Sequence, residues 1–139
     1  MNKFGLLILL AGLAVILFLA IRQDRKLEQN FKITAAIVSG IDGATGNGNR
    51  LADYTYAVNG KSYTRRSSLP CSSIPCIKYY RNAVVGKKFL VVYQADNPSN
   101  SRMIFTNNDL KHFKINPTLD VQRAAQEMDS VVAAHGDEW

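Results

Sequence analysis

The chain has 139 residues, with 17 lysines and arginines against 11 aspartates and glutamates, a net charge of +6. An apolar share of 47% and two cysteines exclude a globally disordered chain, a polytopic membrane protein, a dense disulfide scaffold and a four-cysteine zinc module. Beyond an apolar N-terminal run, enough chain is left for one small domain and not two.

That run, residues 4–21 (FGLLILLAGLAVILFLAI), carries no charge and no proline. As a helix it reaches about 27 Å, close to the hydrocarbon thickness of a bilayer. A helix on a small soluble protein keeps a polar stripe toward water, and this one has none. The competing reading is a cleaved signal peptide, with a shorter apolar region and a small-x-small cleavage site. Gly12-Leu13-Ala14 has that pattern, yet VILFLAI still follows it, and a cut after Ala20 puts Phe18 where a small side chain is needed. The expectation is therefore an uncleaved, single-pass anchor. Residues 22–30, RQDRKLEQN, contain no helix breaker and extend it as a short charged stalk, so residues 1–30 form the first unit.

From Phe31 the texture becomes β. FKITAAIVSGI is rich in β-branched residues and predicts a first strand. Residues 43–49, GATGNGN, form a turn-rich loop that lacks the ending and following helix of a phosphate-binding loop. ADYTYAV and KSYTRRSS flank Asn59-Gly60, the pattern of a two-residue hairpin with a type I′ turn. Residues 69–80 predict a loop or short helical piece. VGKKFLVVYQ predicts a central strand buried on both faces, ADNPSNS a turn, RMIF a short last strand, and NNDLKHF a helical turn capped by Asn108 or Asp109. Five strands within residues 31–115 suit a small antiparallel barrel. In residues 116–139, Leu119, Val121, Ala124, Ala125, Met128, Val131 and Val132 recur at helical spacing, with Gly136 as the stop. The fold class is thus mainly β (α+β): a transmembrane helix, a five-stranded barrel-like sheet and a C-terminal amphipathic helix. That last helix either closes the domain or docks a partner.

Charge is divided unevenly. Residues 32–114 carry twelve basic and four acidic side chains, whereas residues 115–139 carry one and five. Either the acidic tail helix lies against the basic sheet, or a basic surface meets anionic lipid or an acidic partner. The candidate basic interaction surface is Arg65, Arg66, Lys78, Arg81, Lys87 and Lys88. A solvated edge strand that discourages sheet-to-sheet pairing is the plainer explanation of Arg65 and Arg66.

No catalytic constellation is visible. Cys71 and Cys76 have neither redox nor zinc-knuckle spacing; in an oxidising compartment they are candidates for a local disulfide, and in the cytoplasm for two reduced thiols. His112 and His135 are not spaced with other metal ligands. Asp96, Asp109 and Asp120 suit turns and caps. Neither a metal nor another cofactor is expected.

The series Tyr54-x-Tyr56-x-Val58-x-Gly60-x-x-Tyr63, Val85-Gly86-Lys87-x-x-x-Val91-x-Tyr93 and Asn97-Pro98-x-x-Ser101 resembles the DUF3592-type domains of bacterial membrane proteins, particularly short single-anchor versions common in Bacteroidetes. The resemblance covers residues 31–106 and implies a small β domain beside a membrane, with no established activity. CSSIPC and the tail helix lie outside its pattern. The expected location is a bacterial inner membrane, with the side divided: Arg22, Arg25, Lys26 and Lys32 outnumber Lys3 and point the domain to the cytoplasm, while the cysteine pair points to the periplasm. The expected role is a non-enzymatic binding or scaffolding module whose partners are membrane lipid and a protein, with no nucleic acid and no small-molecule substrate. An immunity-type protein that neutralises a toxin at the membrane, and a thiol redox protein using Cys71 and Cys76, are the alternatives.

Overall fold

The computed structural model describes residues 3–42, 51–70 and 74–135. The glycine-rich loop expected at 43–49, Cys71 and the helix stop at Gly136 lie outside the described residues. In chain order the elements are α1 (Lys3–Gln29), β1 (Phe31–Asp42), β2 (Leu51–Val58), β3 (Lys61–Ser68), α2 (Ile74–Ala83), β4 (Lys88–Gln94), β5 (Asn97–Ile104), α3 (Asn107–His112) and α4 (Leu119–His135). All strands pair antiparallel in the order β3-β2-β1-β4-β5, and the sheet curls into a nearly closed barrel.

The N-terminal helix is longer than its apolar run. Gly5–Gln29 is long and apolar enough to cross a membrane, and its large apolar side chains from Leu6 to Ile21 lie exposed. The expected stalk is not free, because Leu27, the one apolar residue among 22–30, is buried in the domain.

Alternation sets the main core. Ala36 and Val38 of β1, Ala52, Tyr54 and Tyr56 of β2, and Phe89, Val91 and Tyr93 of β4 all point inside the curled sheet. Cys76 and Tyr80 of α2 and Met128 and Val131 of α4 fill that interior. A second core lies on the outer face of β4 and β5. There Val92 and Ile104 pack with Leu27, Leu110, Phe113 and Ala125. Strand β4 is therefore covered on both sides, which accounts for its unbroken apolar sequence. The tail helix packs on its own domain, where Glu127 accepts a hydrogen bond from the Tyr79 hydroxyl and Asp129 accepts one from the Asn107 amide (2.7 Å).

The β2–β3 turn matches its sequence signature, with Asn59 at φ 51° and Gly60 at φ 77°, the pair of left-handed residues a type I′ turn requires. Two expectations need correction. The segment expected to be a turn before RMIF is already strand from Asn97, and Pro98 is tolerated because it sits on a sheet edge inside a bulge where residues 98–100 have no partner on β4. The cap of α3 is Thr106 rather than Asn108 or Asp109. Its hydroxyl accepts from the Asp109 N–H (3.2 Å) while the Asp109 carboxylate accepts from the Thr106 N–H (3.0 Å), a reciprocal capping box.

Candidate interaction surface

The register places three connections at one end of the sheet: the α1–β1 junction, the β2–β3 turn and the β4–β5 turn. Helix α1 joins the domain at this end through hydrogen bonds and packing. The Asn100 amide donates to the Gln23 carbonyl (3.1 Å) and to Gln94 Oε1 (2.9 Å). Gln94 is a buried polar residue, and its own amide donates to Asp96. The Ala95 N–H donates to the Asn30 carbonyl (3.0 Å). Beside these bonds, Glu28 contacts His112 (2.9 Å) and Phe31 meets Phe113 edge-on at 5.3 Å. Leu27, only 4% exposed, locks the packing; burying such a side chain is worth about 1.5–3 kcal/mol.

Strands β3 and β5 are the two edges of the sheet, and side chains rather than a ladder bring them together. Arg65 Nε donates to the Ser99 carbonyl (2.7 Å), the Tyr56 hydroxyl donates to the Pro98 carbonyl, and the Tyr54 hydroxyl shares a hydrogen bond with Ser101 (2.9 Å). The bulge at 98–100 makes this possible by swinging two carbonyls off the β4 ladder and toward the opposite edge. Tyr56 stacks with Tyr54, Tyr63 and Tyr93 at centroid distances of 5.9, 5.5 and 6.3 Å. Burial pushes the Tyr54 hydroxyl up to about 12, against the opposing effect of its bond to Ser101, and raises Tyr56 for the same first reason. These hydroxyls hold their protons at neutral pH and seal the seam, Tyr56 as a donor to Pro98 and Tyr54 in a shared bond with Ser101.

The six basic candidates fall in separate places. Arg65 faces the seam, while its neighbour Arg66 points to the outer face and pairs with Asp53 (2.7 Å) and Asp42 (3.6 Å). Period-two alternation makes that split unavoidable. Lys78 and Arg81 lie on α2, where with Ile74, Ile77 and Asn82 they line an open groove of about 410 Å³. Ile74 is 77% exposed there. Lys87 and Lys88 flank the α2–β4 link, whose Gly86 adopts φ 81° and donates its N–H to the Val38 carbonyl (2.8 Å). Lys88 also borders a cleft of about 270 Å³ beneath α4, walled by Phe89, Leu90, Ile104, Val121 and Ala124.

Cys76 is fully buried in the main core against α2 and α4 partners, and no cysteine among the described residues is free. Its companion Cys71 is outside the described residues. Tyr79, next to this region, is pushed up to about 12 by burial and by its hydrogen bond to Glu127. Among the described residues, no cluster of three His, Cys, Asp or Glu side chains is placed to hold a metal ion. The joint formed by Gln23, Gln94 and Asn100 escaped the sequence reading, because polar residues in turns carry no periodic signal; Leu27, alone in a charged stretch, was the available clue. Comparison of the chain with protein-family models, with curated proteins and with solved structures finds no match.

Proposed function

We propose that this chain is a non-catalytic, membrane-anchored binding module, an accessory or scaffolding subunit of a bacterial inner membrane assembly. One observation carries the reading: the anchor helix is built into the second core through Leu27, while the far end of the domain offers α2 with exposed Ile74 beside Lys78 and Arg81. A domain held firmly at one end and bearing a mixed basic and apolar face at the other suits docking of an acidic-apolar protein surface. The DUF3592-type kinship belongs to the same proposal, supported by Gly60 in its left-handed turn and by Tyr54, Tyr56 and Tyr93 in the core. A disulfide between Cys71 and Cys76, and with it a periplasmic domain, is part of the proposal; the buried Cys76 sulfur weighs against an exchange-active thiol, which needs access.

The test is a photo-crosslinker placed at Ile74 in intact cells, with a C-terminal topology reporter run alongside to fix the side. A discrete protein adduct that Lys78→Glu with Arg81→Glu abolishes supports the reading. Hydrolytic or thiol-exchange turnover by the purified chain, with no adduct from α2, overturns it.

A further inference from the structure

We infer that the barrel mouth next to the anchor binds an anionic phospholipid headgroup, with Lys61 and Arg65 on the phosphate and Tyr63 between them at the interface. The inference rests on the anchor spanning the bilayer and concerns the opposite end of the domain from the α2 face. Gln23 lies two residues past Ile21, about 3 Å further along the helix. Each headgroup layer is about 5–7 Å deep, so Gln23 sits within it. The Asn100 side chain bonds the Gln23 carbonyl, and the adjoining Ser99 carbonyl holds the Arg65 guanidinium at 2.7 Å. The bulge therefore fixes Arg65 next to the headgroup layer rather than leaving its level to chance.

Lys61, Tyr63 and Arg65 follow one another at two-residue intervals on the same face of β3, Lys61 at the end shared with the α1–β1 junction and Arg65 midway along the strand, brought near that end across the seam by Ser99. The Lys61 ammonium rests over the Tyr63 ring, 5.4 Å from its centroid. Neither Lys61 nor Arg65 has a carboxylate among the ion pairs of the described residues, whereas Arg66, one residue away, has two. Asp96 on the β4–β5 turn accepts from the Gln94 amide, and its negative charge offsets part of the local positive field. Two uncompensated cations around a half-buried tyrosine are the groups that meet a lipid phosphate at the interface. Arg22, Arg25 and Lys26 on α1 add to the local field, and Asp24 and Glu28 offset part of it.

Selectivity for spin-labelled phosphatidylglycerol over phosphatidylcholine, measured on the full chain in nanodiscs, tests this. Each basic group at the surface is worth about fivefold in lipid preference. The native chain is expected to prefer phosphatidylglycerol, and Lys61→Gln with Arg65→Gln to lose most of that preference. Arg66→Gln, the same one-charge change as Arg65→Gln but on the outer face, is expected to keep it, whereas Arg65→Gln alone is expected to weaken it. Arg65→Lys, which retains the charge while giving up the guanidinium bonds to the Ser99 and Thr64 carbonyls, is expected to keep more of the preference than Arg65→Gln, which separates loss of charge from loss of the seam. No preference in the native chain, or equal losses in the Arg65 and Arg66 variants, overturns the inference. Release of the chain by carbonate extraction overturns the anchor reading itself; resistance to extraction with no lipid preference overturns the headgroup site alone.

Discussion

Replacing Tyr54 by Phe separates two effects of a single hydroxyl, and pH tells them apart. At neutral pH the fully buried Tyr54 shares a hydrogen bond with Ser101. Its loss costs about 1 kcal/mol, since Ser101 is left without that partner. At high pH the sign reverses. The unfolded tyrosine ionises near 10, while in the fold ionisation waits until about 12, because burial disfavours the phenolate. Above pH 10 the unfolded state thus holds fewer protons than the fold, and stability falls as pH rises, by about 1.4 kcal/mol at pH 11 and about 2.7 kcal/mol once both states are ionised. The Phe variant lacks this penalty. Urea unfolding of the full chain in nanodiscs, followed by tyrosinate absorbance and circular dichroism, is expected to show the native chain ahead at pH 8 and the variant level or ahead near pH 11. A stability difference independent of pH would refute the argument and mean that Tyr54 ionises as freely in the fold as outside it.

Leu27→Ala is expected to cost about 2–5 kcal/mol, given its burial in the second core. Because it also loosens the joint, tryptic cleavage after Arg25 and Lys26 in nanodiscs should accelerate, which a core substitution remote from α1 would not produce. Gly60→Ala forces an L side chain into φ 77° and should lower the melting temperature by the equivalent of about 1–2 kcal/mol; no change would argue against the type I′ turn. Asp109→Ala removes the acceptor of the Phe105 and Thr106 N–H groups, at 3.1 and 3.0 Å, and is expected to cost about 1–2 kcal/mol, with hydrogen exchange rising in α3. Glu28→Gln removes the charge from the exposed contact with His112 while leaving a hydrogen-bonding group in place, and should cost under about 1 kcal/mol by urea unfolding.

What could be read from residues alone was what periodicity and turn chemistry encode. Asn59-Gly60 fixed the hairpin because its geometry demands left-handed residues, and the Phe89 to Tyr93 run marked a strand covered on both faces. Long-range polar contacts left no such trace. Asn100 reaches Gln23 across 77 positions, Arg65 reaches Ser99 across 34, and neither pairing has a local motif. The β5 start was hidden for a related reason: Asn-Pro-Ser-Asn reads as a turn unless a sheet edge with a bulge accommodates it as extended chain. Composition exposed the basic excess of the β domain, but only the alternation along β3 shows that Arg66 is neutralised and Arg65 is not. The role of Glu127 and Asp129 was likewise illegible, since they accept hydrogen bonds from Tyr79 and Asn107.

Helix α1 passes without a break from its exposed apolar turns into the second core, 27 residues as one rod about 40 Å long. A rod that ends inside a domain core is a lever. When an apolar span is longer than the surrounding hydrocarbon, helices tilt to fit, commonly by about 20°. With a flexible stalk that tilt would stop at the headgroups. Here the Asn100 and Leu27 contacts carry it into the sheet, so over the roughly 30 Å diameter of a small domain that tilt would swing the far end by about 10 Å relative to the bilayer normal. Bilayer thickness would thereby set the angle at which α2 meets whatever lies beside it.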